Sequence, residues 1–96
     1  MPTNLITAIV TAYCATGHPC ADGRYPEEGV TIAAPRCIPL GTRVEVGGHI
    51  FTVEDRTNKR FDGRWDVFMV DRKRCLQWGK QTLKVKILSP VGIDNQ

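Results

Sequence analysis

The stretch RVEVGGHIFTV, residues 43–53, constrains the fold more than any other part of the chain. Val44 and Val46 alternate with Arg43 and Glu45, Gly47-Gly48 stands where a tight turn belongs, and Phe51 and Val53 resume the alternation. A period of two puts successive side chains on opposite faces of an extended strand, so the pattern reads as a β-hairpin with one apolar face to bury. Extended signals recur along the chain: residues 5–13 are rich in β-branched types, VTIAA and WDVFMV are short apolar runs, and TLKVKIL sets Leu83, Val85 and Ile87 against Lys84 and Lys86. Within DRKRCLQWG, Asp71 occupies an N-cap position and Gly79 a C-cap position, which predicts about two turns of helix between them. TNKRFDGR reads as a polar loop. A chain of 96 residues has room for one core. About six short strands and one short helix around a single core predict a mainly β protein, a small closed or nearly closed six-stranded barrel. The whole chain, 1–96, is expected to be one domain, with its core at about 5–89 and a frayed tail at 91–96.

Composition narrows the classes. A hydrophobic content of 42% with 24% charged residues is that of a globular protein, not a fibre or a disordered tail. The apolar stretch LITAIVTAY lacks a basic lead-in and an A-x-A-like cleavage site and is too short to span a bilayer, so neither a signal peptide nor a membrane span is expected. Formal charge is +3, and residues 55–74 carry the excess, with seven basic residues against four acidic ones. Such a local field suits an anionic polymer or a solvated rim. Nucleic acid is not the expected partner, because the basic cluster lacks the interleaved aromatics and glycines of a stacking platform.

Four cysteines, Cys14, Cys20, Cys37 and Cys75, permit three disulfide pairings, and the sequence does not choose among them. As free thiols they would behave as small buried hydrophobes. CATGHPC brings Cys14, His18 and Cys20 together, but the spacing departs from C-x₂₋₄-C and Pro19 stiffens the loop, so no metal and no other cofactor is expected.

Two carboxylates stand at strand positions. Asp66 lies inside WDVFMV on the face that also carries Phe68, where partial desolvation raises a carboxyl pKa and favours general-acid work. Asp55 ends the preceding strand eleven residues earlier, and a hairpin-like return through the intervening loop would bring the two together, a recurrent active-site device. The purely structural alternative makes Asp55 a turn cap and pairs Asp66 with Arg64 or Arg56.

Taken in order, TAYC, IPLGTRVEV, TVEDR, DGRWDVFM and CLQWGKQTLKVKIL resemble the three-aspartate, or 3D, domain family, whose fold is similar to the double-psi β-barrel of the membrane-bound lytic transglycosylase A group. The resemblance runs from about residue 7 to about residue 88. It implies that Asp66 is the catalytic aspartate and Asp55 a second that supports it. The position of the third family aspartate falls on Ala34, and Asp71 is better explained as a helix cap. The implied activity is peptidoglycan cleavage by a lytic transglycosylase, which needs one carboxylate as acid and then base and leaves 1,6-anhydro-muramic acid ends. Tyr13 and Thr11, two residues apart on one face of the first strand, are candidate glycan contacts, and Lys59, Arg60 and Arg64 are candidates for the carboxylates of lactyl groups or peptide stems. Trp78 is expected to pack into the core.

Two other functions fit the same residues. An expansin-like barrel would bind wall polysaccharide without cutting it, and Ala34 points that way. A hydrolase would use Asp55 and Asp66 as an inverting pair. The expected partner is the peptidoglycan glycan strand, met by a monomer in the bacterial envelope or outside the cell, or delivered there by a phage.

Overall fold

A computed structural model describes residues 4–15 and 17–89, so the expected tail at 91–96 lies outside the described residues. Six strands form a closed barrel: β1 (Asn4–Tyr13), β2 (Thr31–Ala34), β3 (Arg43–Val46), β4 (His49–Arg56), β5 (Trp65–Phe68) and β6 (Gln81–Ser89), in the order β1-β5-β2-β4-β3-β6. One helix, α1 (Arg72–Trp78), and one 3-10 turn, Lys59–Phe61, complete the regular structure. The mainly β fold, the strand number and the short helix agree with the expectation from sequence.

The hairpin of β3 and β4 follows its sequence cue. Val44 pairs with Phe51 and Val46 with His49, and Gly47 and Gly48 both adopt positive φ, 60° and 81°, as a two-residue turn twisted with its strands requires. Closure is mixed in direction. β1 runs parallel to β5 and β2 parallel to β4, whereas β6 pairs antiparallel with both β1 and β3. The parallel partners are not neighbours in sequence, so the barrel closes through long-range pairing.

Inside lie Val10, Ile32, Ala34, Val44, Val46, Val53, Trp65, Val67 and Val85. Burying each of the larger aliphatic side chains stabilises the fold by about 1.5–3 kcal/mol. Trp65 and Val67 point into this core, and Asp66 between them is only partly buried. A strand that must bury its odd positions therefore presents its aspartate at the barrel wall.

Helix α1 is capped as expected. The Asp71 carboxylate accepts from the Lys73 backbone N–H at 2.9 Å, and Gly79, at φ 66°, ends the helix. The helix packs on β1, where the Trp78 indole N–H donates to the Val10 carbonyl at 3.0 Å. Arg74 reaches Glu28 at 2.7 Å, and Glu28 also accepts from the Val70 N–H at 2.6 Å, so the long loop after β1 is tied to the helix as well.

Candidate active site

Strand register assembles the site. Asp66 on β5 is level with Thr11 on β1 on one side and with Ala33 on β2 on the other. Ala33 is in turn level with Asp55 on β4. The hairpin-like return expected between the two aspartates is not what forms: β2 inserts between β4 and β5, because its parallel pairing with β4 is part of barrel closure. With neighbouring strands about 4.8 Å apart, the aspartate backbones stand about 9.6 Å apart across Ala33.

A cleft of about 290 Å³ opens over this row. Ala33, Asp55 and Asp66 line it from the barrel, with Tyr13 at the end of β1, Arg56 and Asn58 after the β4 aspartate, and His18, Pro19 and Pro26 from the loop between β1 and β2. Of the residues expected to meet ligand, Tyr13 and both aspartates face the cleft, while Thr11, Lys59, Arg60 and Arg64 lie outside its lining. His18, Pro26, Ala33, Arg56 and Asn58 were not singled out as candidate contacts by sequence reasoning. His18 and Pro19 sit in the conspicuous CATGHPC segment, whereas nothing local distinguishes Ala33 from Ala34.

The two carboxylates are held differently. Asp55 is an acceptor on both oxygens: Oδ1 takes the N–H of Ala21 at 3.0 Å and of Arg56 at 2.9 Å, and Oδ2 takes the Tyr13 hydroxyl at 3.1 Å. These bonds fasten the β1–β2 loop and the end of β1 to β4. Burial first, and Asp55 second, hold the Tyr13 phenol well above its ordinary range, so Tyr13 is a donor at every physiological pH. Its ring packs edge-on against Phe68 with centroids 5.4 Å apart. The same burial, aided by Asp55, pushes the neighbouring Cys20 thiol up to about 11.

Asp66 accepts from the Thr11 hydroxyl through Oδ1, and among the described residues no hydrogen bond is formed to Oδ2. Its carboxyl is raised above the ordinary aspartate value, chiefly by burial; Arg64 acts against the shift and Asp55 adds to it. A half-buried acid with one oxygen oriented and one unengaged is equipped to donate a proton and to take one back. Thr11 and Tyr13 thus each serve one aspartate in the unliganded protein. Ala34 is fully buried in the core and belongs to the opposite face of β2 from Ala33.

Among the described residues, no three His, Cys, Asp or Glu side chains cluster as metal ligands. No helix is long and apolar enough to cross a membrane among the same residues. Cys14 and Cys75 face each other with sulfurs 2.9 Å apart, and both are free thiols, as are Cys20 and Cys37.

No family model and no solved structure matches the chain. A curated protein of Bacillus subtilis (strain 168), described as "Putative cell wall shaping protein YabE", is 32% identical over 94 residues. The match takes in 88% of this chain and 23% of that protein, so the chain spans about a quarter of its relative's length.

Proposed function

We propose that the chain cleaves the glycan strands of bacterial peptidoglycan as a lytic transglycosylase, with Asp66 as its single acid and base. The observation that carries this reading is the inequality of the two aspartates: Asp66 has raised proton affinity and an unengaged oxygen, whereas Asp55 is committed as an acceptor to Ala21, Arg56 and Tyr13. Similarity to one stretch of a cell wall shaping protein supports the wall as the place of action.

Protonated Asp66 gives its proton to the oxygen between N-acetylmuramic acid and N-acetylglucosamine. The C1–O bond breaks and leaves an oxocarbenium-like muramyl sugar. Asp66, now a carboxylate, takes the proton of that sugar's C6 hydroxyl as O6 bonds to C1. The 1,6-anhydro ring closes, Asp66 is again protonated, and water is not consumed. Thr11 keeps Asp66 pointed into the cleft throughout, and Asp55 with Tyr13 holds the opposite wall. An inverting hydrolase would need Asp55 as a base toward water, and its hydrogen bonds oppose that role. A binding-only barrel is the second reading, favoured by the buried Ala34 where the family carries a third carboxylate.

Mass spectrometry of fragments released from purified peptidoglycan tests these readings. Wild type is expected to release 1,6-anhydro-muramic ends, and Asp66→Asn to lower the rate by about 10² to 10⁴. Fragments carrying one added water would mean a hydrolase. Release by neither protein, with both sedimenting with the wall, would mean a binder.

A further inference from the structure

The loop between β4 and β5 holds an arrangement that the cleft does not use. Phe61, exposed at the end of the 3-10 turn, has the Arg64 guanidinium 4.6 Å and the Arg60 guanidinium 5.7 Å from its ring centroid. Two like charges gathered on one ring repel each other, and cation–π attraction at an exposed site is worth only about 0.5–1 kcal/mol. A solvated rim would splay them apart. The loop's own carboxylate does not relieve them: Asp62 is turned to Arg36, which it meets through the Arg36 backbone N–H at 3.1 Å and its guanidinium at 3.4 Å. Among the described residues, Lys59, Arg60 and Arg64 take part in no salt bridge.

Position makes the cluster relevant to the cleft. Asn58, which caps the 3-10 turn by accepting from the Arg60 N–H at 2.9 Å, also lines the cleft. Arg64 precedes Asp66 by two residues, so extended backbone sets their Cα atoms about 6.6 Å apart. We propose that Arg60 and Arg64, aligned by Phe61, form an anion subsite beside the cleft that takes a carboxylate carried by the glycan strand. Planar guanidiniums fixed on a ring match the two oxygens of a carboxylate, and little side-chain freedom is lost when it docks. That the carboxylate rides on a glycan rests on the function proposed above.

Equilibrium titration of the full chain in an Asp66→Asn background, where cutting is suppressed, tests the subsite. Three probes of equal length are compared: uncharged chitin oligosaccharide, glycan stripped of peptides so that its lactyl carboxylates are free, and glycan with its peptide stems. Carboxylate-bearing strands are expected to bind about tenfold more tightly than chitin at low salt. Adding Arg60→Gln with Arg64→Gln should bring all three within about twofold. The probe that gains more identifies the carboxylate as lactyl or stem-borne. Equal binding of all three probes, a preference that survives the double substitution, or no binding to any charged strand overturns the proposal. A wild type that prefers charged strands yet releases no anhydro ends refutes the transglycosylase reading and leaves the subsite standing.

A separate observation concerns the cysteines. Cys14 directly follows Tyr13 at the end of β1, Cys75 lies in α1, and their sulfurs need approach by less than about 1 Å to reach disulfide bonding distance. The structure assigns these two, among the three pairings that four cysteines allow, to one covalent clip between helix and barrel. A disulfide oxidant supplies the balance: one thiolate displaces half of oxidised glutathione, the second thiolate displaces the other half, and two glutathione thiols leave with the two electrons. Peptide mapping without reduction, after incubation of the full chain with oxidised glutathione at pH 8.5, is expected to recover residues 14 and 75 in one linked peptide and a raised Tm. Pairing of either cysteine with Cys20 or Cys37, or separate glutathione adducts on both, overturns the assignment.

Discussion

Burial and two neighbours pull on the proton of Asp66. Burial raises its affinity, Arg64 lowers it and Asp55 raises it by a smaller amount. The proposed cleavage needs the protonated acid, so that activity is expected to fall as pH climbs through the folded-state pKa of Asp66. Arg64→Gln removes the opposing charge and should move that alkaline limb to higher pH, read from initial rates of anhydro-end release. The same shift governs stability, with the sign fixed by linkage. Because the folded pKa lies above the ordinary 3.8, the contribution of Asp66 is fully present below that value and is lost as pH rises through the folded pKa. Asn at position 66 does not titrate and keeps the Thr11 contact, so Asp66→Asn should gain stability over wild type from pH 4 to pH 8, measured by urea midpoints. Asp66 was legible because an acid between Trp65 and Val67 interrupts an apolar run. The bonds that commit Asp55 were not, since the Ala21 and Arg56 N–H groups are backbone donors with no signature in the residue names.

Among the elements, those with a complete local code were read correctly. The β3–β4 hairpin declared itself through alternating valines and two glycines, and α1 through Asp71 and Gly79. Asp71→Ala should therefore cost about 1 kcal/mol of unfolding free energy, the usual worth of an N-cap, as measured by urea titration. Trp78→Ala should cost about 1.5–3 kcal/mol, since it removes both the packing of a half-buried ring against the core and the bond to the Val10 carbonyl. Strand β2 was less legible. All four of its residues are buried, so no alternation separates Ala33, at the cleft, from Ala34, in the core. Its insertion between β4 and β5 is a long-range parallel pairing, and no turn sequence announces one. The facing of Cys14 and Cys75 was equally hidden, because it depends on how α1 docks and 61 residues separate the two cysteines.

For the molecule as a whole, closure and chemistry share a strand. β1 joins β6 through Asn4–Ile87 to Val10–Gln81 and joins β5 through Val10–Trp65 to Tyr13–Phe68, and it carries both Thr11 and Tyr13. A barrel closed by pairs so distant in sequence should fold in milliseconds to seconds and unfold as one unit. Fluorescence of the buried Trp65 and far-UV circular dichroism are expected to give coincident urea transitions. Loss of the proposed glycan cleavage should follow the same curve, with no folded but inactive species ahead of it. Ala33 carries a different consequence. It separates the two aspartates with a single methyl group, which lines the cleft between them. An isobutyl group there would obstruct passage of a polymer while Asp66 and Thr11 kept their bond. In the proposed reaction, admission and proton transfer are thus separable traits, written on different atoms and open to independent change.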